Sequence, residues 1–214
     1  MTLALQVGYA DRCFQDLPPC GDGMTSLERD HTLRLLLADG IGHGPHAHRV
    51  VNQLSEHFHW ICGRSSSLIG MAECMRELHD LLRGNPQTDQ AAVAMLEVHR
   101  ETGVIAVLSV GNVRVHSVAQ AGCFSFPCLN GMVGGHLPRQ LPVTLRQAQK
   151  PCLLLLHSDG LSSRAVQPYL EQLFSTLGAT PRAAQPMADA LLRHCAKGSD
   201  DAACAVVALQ EARS

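Results

Sequence analysis

LRLLLADGIGHGPHAHR, residues 33–49, runs from an apolar segment through one aspartate into a stretch with three glycines and three histidines. Leu33 and Leu35–Ala38 are apolar at consecutive positions. Such a run covers both faces of an extended segment, as in a central strand rather than a half-exposed one. It ends at Asp39-Gly40. Pro45 then suits the first turn of a helix, with Ala47, Val50, Val51, Leu54 and Phe58 following at helical spacing. Three chemistries compete for this stretch: a glycine-rich phosphate cradle, a histidine metal site, or a strand end that presents a carboxylate.

The first two fail on spacing. Gly40, Gly42 and Gly44 do not form G-x-G-x-x-G, and no Lys-Ser/Thr pair follows as in a phosphate-binding loop. His43, His46 and His48 do not share one helical face as the i, i+4 pair of H-E-x-x-H does, and neither do His57 and His59. The strand-end carboxylate remains.

The rest of the chain supplies its company. Residues 3–10 read as an opening strand, and residues 11–31, with Pro18, Pro19 and CGDG, as a polar loop. Leu68, Met71, Met75, Leu78 and Leu82 predict a second helix, stopped by Gly84-Asn85-Pro86. The apolar period then changes to two. Residues 91–98, 104–110, 113–118 and 122–126 read as consecutive strands of an antiparallel meander, with Gly111-Asn112 as the tightest turn. Residues 127–142 read as a loop or flap. A strand at 152–157, helices at about 166–177 and 185–196, and a last strand at 203–209 complete the order. Helices packed on antiparallel sheets in one α+β domain spanning 1–214 follow from it.

Composition narrows the function. The 214 residues are 46% hydrophobic, 17% charged and only 4% aromatic, so the core rests on Leu, Val, Ala and Met. A formal charge of −2, with no Lys/Arg run, gives no field to attract nucleic acid or an anionic membrane. No apolar stretch reaches the roughly 18–20 residues of a membrane-spanning helix, and MTLALQVGYADR lacks the basic start of a secretory leader. The nine cysteines are odd in number and without C-x-x-C. Several of them (Cys62, Cys74, Cys152, Cys195, Cys204) stand in apolar patterns, as free thiols of a reducing, cytoplasmic compartment do.

One local pattern recurs. Asp22 in CGDG, Asp39 in LLLADG, Asp159 in LLLLHSDG and Asp200-Asp201 before ACAVVAL all lie at a strand end or in a glycine-flanked turn. Each alone is ordinary turn chemistry. Together they bring carboxylates to one edge of a core, where they repel unless a cation sits among them. An all-oxygen set favours hard ions such as Mg²⁺ or Mn²⁺. Two such ions clamp a phosphoryl group and acidify the water between them.

GDG, ADGIGHG, HSDGL and SDDAACAVVAL, in that order, resemble the metal-dependent serine/threonine phosphatases of the PPM superfamily. The branch they resemble is the bacterial sporulation stage II E branch, with its small stressosome phosphatases. The resemblance extends over nearly the whole chain. It implies a four-layer α/β/β/α sandwich with two central antiparallel sheets flanked by helices. It implies two divalent ions, manganese or magnesium, and hydrolysis of phosphoserine or phosphothreonine on a protein by hydroxide held between them. Carried over, Asp39 would bridge both ions and Gly40 would offer its carbonyl to one. Asp159 and Asp200 would bind on the other side, and Asp22 directly or through water. Asp201 stands where the superfamily often has Asn and falls outside the ligand set. The implied partner is a phosphorylated regulator of a stressosome or partner-switching pathway, with a STAS-type domain.

The chain also departs from the broader pattern. Arg12 is the one arginine near the first strand that could take the phosphate-binding place, at a different spacing. Ile41 follows the Asp-Gly where eukaryotic members have a histidine, and His43 comes two residues later. His43 is a candidate proton donor to the leaving group; packing at the helix start and a hydrogen bond to metal-held water are the other readings. HCAKGSDD (194–201) mimics a cysteine-phosphatase loop but has Asp201 where the phosphate-binding arginine must stand. The rivals are a non-catalytic interaction module that keeps the phosphatase fold and a hydrolase of small phosphomonoesters. Docking of a protein substrate through the 127–142 flap and residues 60–67 is a further expectation.

Overall fold

All six residues from Leu33 to Ala38 are buried, Leu35, Leu36, Leu37 and Ala38 completely. The computed structural model describes residues 3–64, 70–85 and 89–212. In chain order the strands and helices are β1 (Leu3–Arg12), β2 (Asp22–Arg29), β3 (Thr32–Gly40), α1 (Pro45–Arg64), α2 (Met71–Leu82), β4 (Ala91–His99), β5 (Val104–Val110), β6 (Arg114–Ala119), β7 (Gly122–Ser125), β8 (Thr144–Gln147), β9 (Cys152–His157), α3 (Ser163–Leu177), α4 (Ala184–Cys195) and β10 (Ala202–Glu211).

The strands form two five-stranded sheets, β1-β10-β9-β6-β7 and β2-β3-β4-β5-β8, antiparallel throughout. The alternation of side chains in β3 and β9 explains their unbroken apolar runs. Leu33, Leu35 and Leu37 meet Leu154 and Leu156 in a core between the sheets. Leu36 and Ala38 face α1 and α2, and Leu153 and Leu155 face α3 and α4. Three apolar layers therefore separate four structural ones, and the α/β/β/α sandwich follows.

Three expectations are corrected. Part of the 11–31 loop is strand: Asp22–Arg29 pairs with β3 from Asp22↔Asp39 to Arg29↔Thr32. Its polar composition suits an edge strand with one open side. Thr144–Gln147, not assigned to any element from the sequence, is the opposite edge, paired with β5. The four-strand meander is two hairpins: β5 lies in one sheet and β6 in the other. Gly111-Asn112 is thus a crossing between layers, with Gly111 at φ +101° and room for no Cβ against Ala92. The 127–142 segment forms no strand or helix beyond isolated bridges at Leu129 and Val133. Leu68, Pro86 and residues 65–67 lie outside the described residues. Among those residues no helix is long and apolar enough to cross a membrane.

Candidate functional site

The same alternation decides where the aspartates go. Asp39 continues the Leu33, Leu35, Leu37 series that faces the other sheet. Asp22 shares the face of Met24, which packs on the inter-sheet core, and lies directly opposite Asp39 in the ladder. Asp201 precedes Ala203, Ala205 and Val207 in the corresponding series of β10. Asp159 follows β9 by two residues. One end of the inter-sheet seam therefore collects carboxylates from both sheets.

Crowding shows in their proton affinities. Burial, then the charge of Asp39, pushes the Asp22 carboxyl well above the usual carboxylate range. Burial, then Asp159 and Asp200, raises Asp39 to about 7. Asp22 is buried, and its Oδ2 has no hydrogen-bond partner. Asp159 is held by the Asn112 side-chain amide, whose Nδ2–H donates to Oδ2 at 2.6 Å. The Asn112 carbonyl oxygen is itself buried without a partner. Asp200 is exposed, and its Oδ1 accepts the Asp201 N–H at 2.9 Å.

Asp201 has a different task from its neighbour. Its side chain is buried, with Oδ1 accepting the Phe14 N–H at 2.6 Å and Oδ2 the Gly21 N–H at 2.7 Å. One carboxylate thus pins both ends of the 14–21 loop. Gly40 is buried, and its N–H donates to the Gly21 carbonyl at 3.0 Å. A Cβ there would stand 2.8 Å from the Ala47 carbonyl oxygen, so the close start of α1 requires glycine.

The histidines diverge. His43 is exposed, its ring tilted against Phe14 with centroids 4.9 Å apart. His46 faces Asp89 at 3.3 Å. The His48 Nδ1–H donates to the Cys20 carbonyl at 2.9 Å. They share no centre. Arg12, at the end of β1, reaches toward Gly198 with one guanidinium nitrogen buried and unpartnered. All nine cysteines are free, and Cys195 is buried against α3, α4 and their sheet. Asn112, visible in the sequence only as a turn residue, is the site member that spacing did not single out.

The donor set suits a hard divalent cation. Carboxylate oxygens dominate it, burial and one another's charge raise the proton affinity of two of the acids, and one buried oxygen has no hydrogen-bond partner among the described residues. Two facing antiparallel sheets, helices outside each, and aspartates at one end of the seam define the class of PPM-type phosphatases. The chain belongs to the stage II sporulation protein E (SpoIIE) family, whose sequence model matches residues 29–210.

Solved structures agree on the fold. A chain from work on the bacterial stressosome, a modular system adapted to control secondary messenger signalling, is 26% identical with a TM-score of 0.81, over 95% of this chain and 99% of that one. RsbX in complex with magnesium is 18% identical with a TM-score of 0.75, covering 96% of each chain. The PP2C phosphatase domain of SpoIIE from Bacillus subtilis, with a fragment of its regulatory domain, is 17% identical with a TM-score of 0.81, over 100% of this chain and 65% of that one. A search among curated protein sequences found no match.

Proposed function

We propose that this chain is a cytoplasmic protein phosphatase, one catalytic domain throughout, that removes phosphate from phosphoserine or phosphothreonine on a signalling regulator. The observation that carries the reading is the convergence of Asp22, Asp39, Asp159 and Asp200 from two sheets, with the buried Asp22 Oδ2 facing no donor. Asp39 feels the charges of Asp159 and Asp200 and stands opposite Asp22, and it would be the ligand common to both ions. Asp22 and the Gly40 carbonyl would hold one ion, and Asp159 and Asp200 the other. Two divalent ions, manganese or magnesium, when bound there neutralise the carboxylates, orient the phosphoryl oxygens and acidify the attacking water. Asn112 keeps Asp159 turned inward through its 2.6 Å hydrogen bond. Asp201 fixes Phe14, and Phe14 supports His43. His43 is the proton donor to the departing serine or threonine oxygen.

The partner is a phosphorylated regulator with a STAS-type domain, of the stressosome or partner-switching kind. The likeness to RsbX and to the stressosome chain supports this assignment. The test is phosphate release from a phosphoserine peptide and from a phosphorylated STAS-type domain, with and without Mn²⁺. Release that requires the metal, stops in EDTA and is lost in Asp39→Asn is the expected result. Metal binding without turnover on either substrate overturns it in favour of an interaction module.

A further inference from the structure

Outside the carboxylate centre, three side chains converge that the proposed reaction does not use. Asp11, Cys13 and Cys20 each offer one ligand atom, and these atoms lie within 4.8 Å of one another. They come from different layers. Asp11 sits at the end of β1, opposite Ala203 of β10. Cys13 follows two residues later in extended conformation, at φ −71° and ψ 148°. Both thereby continue the Leu5, Val7, Tyr9 series that faces the inter-sheet core. Cys20 enters from the other side, two residues before β2, and is 7% exposed.

We propose that Asp11, Cys13 and Cys20 form a second cation site, specific for a thiophilic divalent ion of the zinc type. Two sulfurs and a carboxylate are a donor set for Zn²⁺ and a poor one for Mg²⁺ or Mn²⁺, so the chain sorts ions by chemistry between its two sites. Tetrahedral ligation, with Zn–S near 2.3 Å and Zn–O near 2.1 Å, asks the three atoms to draw together by about 1 Å. The scaffold is prepared for that. Asp201 already holds the loop at Phe14 and Gly21, one residue inside Cys13 and one beyond Cys20. The Cys20 carbonyl is fixed by His48. Little further ordering is needed, so little of the binding energy is lost to it. Asp11 is exposed, which leaves the fourth position open to water. The bound ion staples the edge of one sheet to the entry of the other.

The site uses none of Asp22, Asp39, Asp159 or Asp200, so its test stands apart from phosphatase activity. The reduced full-length chain, in excess Mg²⁺ to fill the carboxylate centre, is titrated with Co²⁺ as a spectroscopic probe. A thiolate-to-cobalt absorption that saturates at one ion per chain and is displaced by Zn²⁺ is expected. Cys13→Ser/Cys20→Ser weakens Zn²⁺ binding by more than about tenfold and removes the band, whereas Cys62→Ser/Cys74→Ser and Asp39→Asn keep it. On the unaltered chain, Zn²⁺ shields Cys13 and Cys20 from maleimide labelling and leaves the other seven thiols as they were. A band that survives Cys13→Ser/Cys20→Ser, unshielded thiols at 13 and 20, or their recovery as a disulfide from the Zn²⁺-treated chain each overturns the proposal.

Discussion

Replacing Asp201 by alanine separates the frame of the site from its proposed ligands. The carboxylate accepts two backbone N–H groups, from Phe14 at 2.6 Å and Gly21 at 2.7 Å. Hydrogen bonds to a charged acceptor are worth about 1.5–3 kcal/mol each, so the gross loss is roughly 3–6 kcal/mol. Removal also relieves repulsion, because Asp201 raises the proton affinities of Asp11, Asp22 and Asp39. In the metal-free chain that relief returns roughly 1–2 kcal/mol at an effective dielectric constant of about 20. The net expectation is a destabilisation of about 2–4 kcal/mol, or a fall in Tm of about 5–15 °C for a chain of this size. Asp201→Asn recovers only part of it, since the amide presents a donor to one of the two N–H groups. Urea unfolding and calorimetry, both in EDTA, measure the effect without contribution from bound ions. A change in Asp201→Ala within about 0.5 kcal/mol, the range of an ordinary surface substitution, refutes the anchoring role.

Asp39→Asn moves the other way. It removes a crowded charge, so the metal-free chain gains stability while the proposed metal-dependent phosphate release is lost; a lower Tm in EDTA contradicts the crowding. The sign with pH follows from Asp39 titrating at about 7 when folded, against 3.8 as its ordinary value. The folded chain binds the extra proton in that window, so this group stabilises the metal-free protein as pH falls from about 7 toward 4. The Tm difference between wild type and Asp39→Asn in EDTA must therefore shrink over that range, and a constant difference excludes the shift. Leu154→Ala, in the core between the sheets, costs about 2–5 kcal/mol in urea unfolding. Gly40→Ala drives a Cβ to 2.8 Å from the Ala47 carbonyl; it lowers both Tm and Mn²⁺ affinity, and unchanged metal binding by calorimetry counts against the tight β3–α1 turn.

Much of the fold is legible where one strand alone carries the signal. LRLLLA and CLLLLH are apolar on every or nearly every position because each strand is covered by a sheet on one side and helices on the other. The same runs end on Asp39 and just before Asp159, which is how a carboxylate edge could be read from spacing. β2 and β8 escape that reading because an edge strand is half solvated and its pattern is diluted by Thr, Ser, Glu, Arg and Gln. The Gly111-Asn112 turn reads as a hairpin for a similar reason. A two-residue connection looks the same whether its strands pair or part, and only the packing of β6 against β9 decides.

The sequence by itself determined the helices, the buried strands, their apolar faces and the four Asp-bearing turns, because each of these depends on neighbours a few residues apart. The resemblance had set Asp201 apart from Asp200, but the tertiary structure alone gave Asp201 its task, buried as an anchor for Phe14 and Gly21 while Asp200 is exposed at the carboxylate rim. It alone brought Asn112 to Asp159 and set Asp11 and Cys13 beside Cys20. These pairings cross from one sheet to the other or between distant turns. The free energy that sets them comes from closing the two sheets on one core, which no local run of residues encodes.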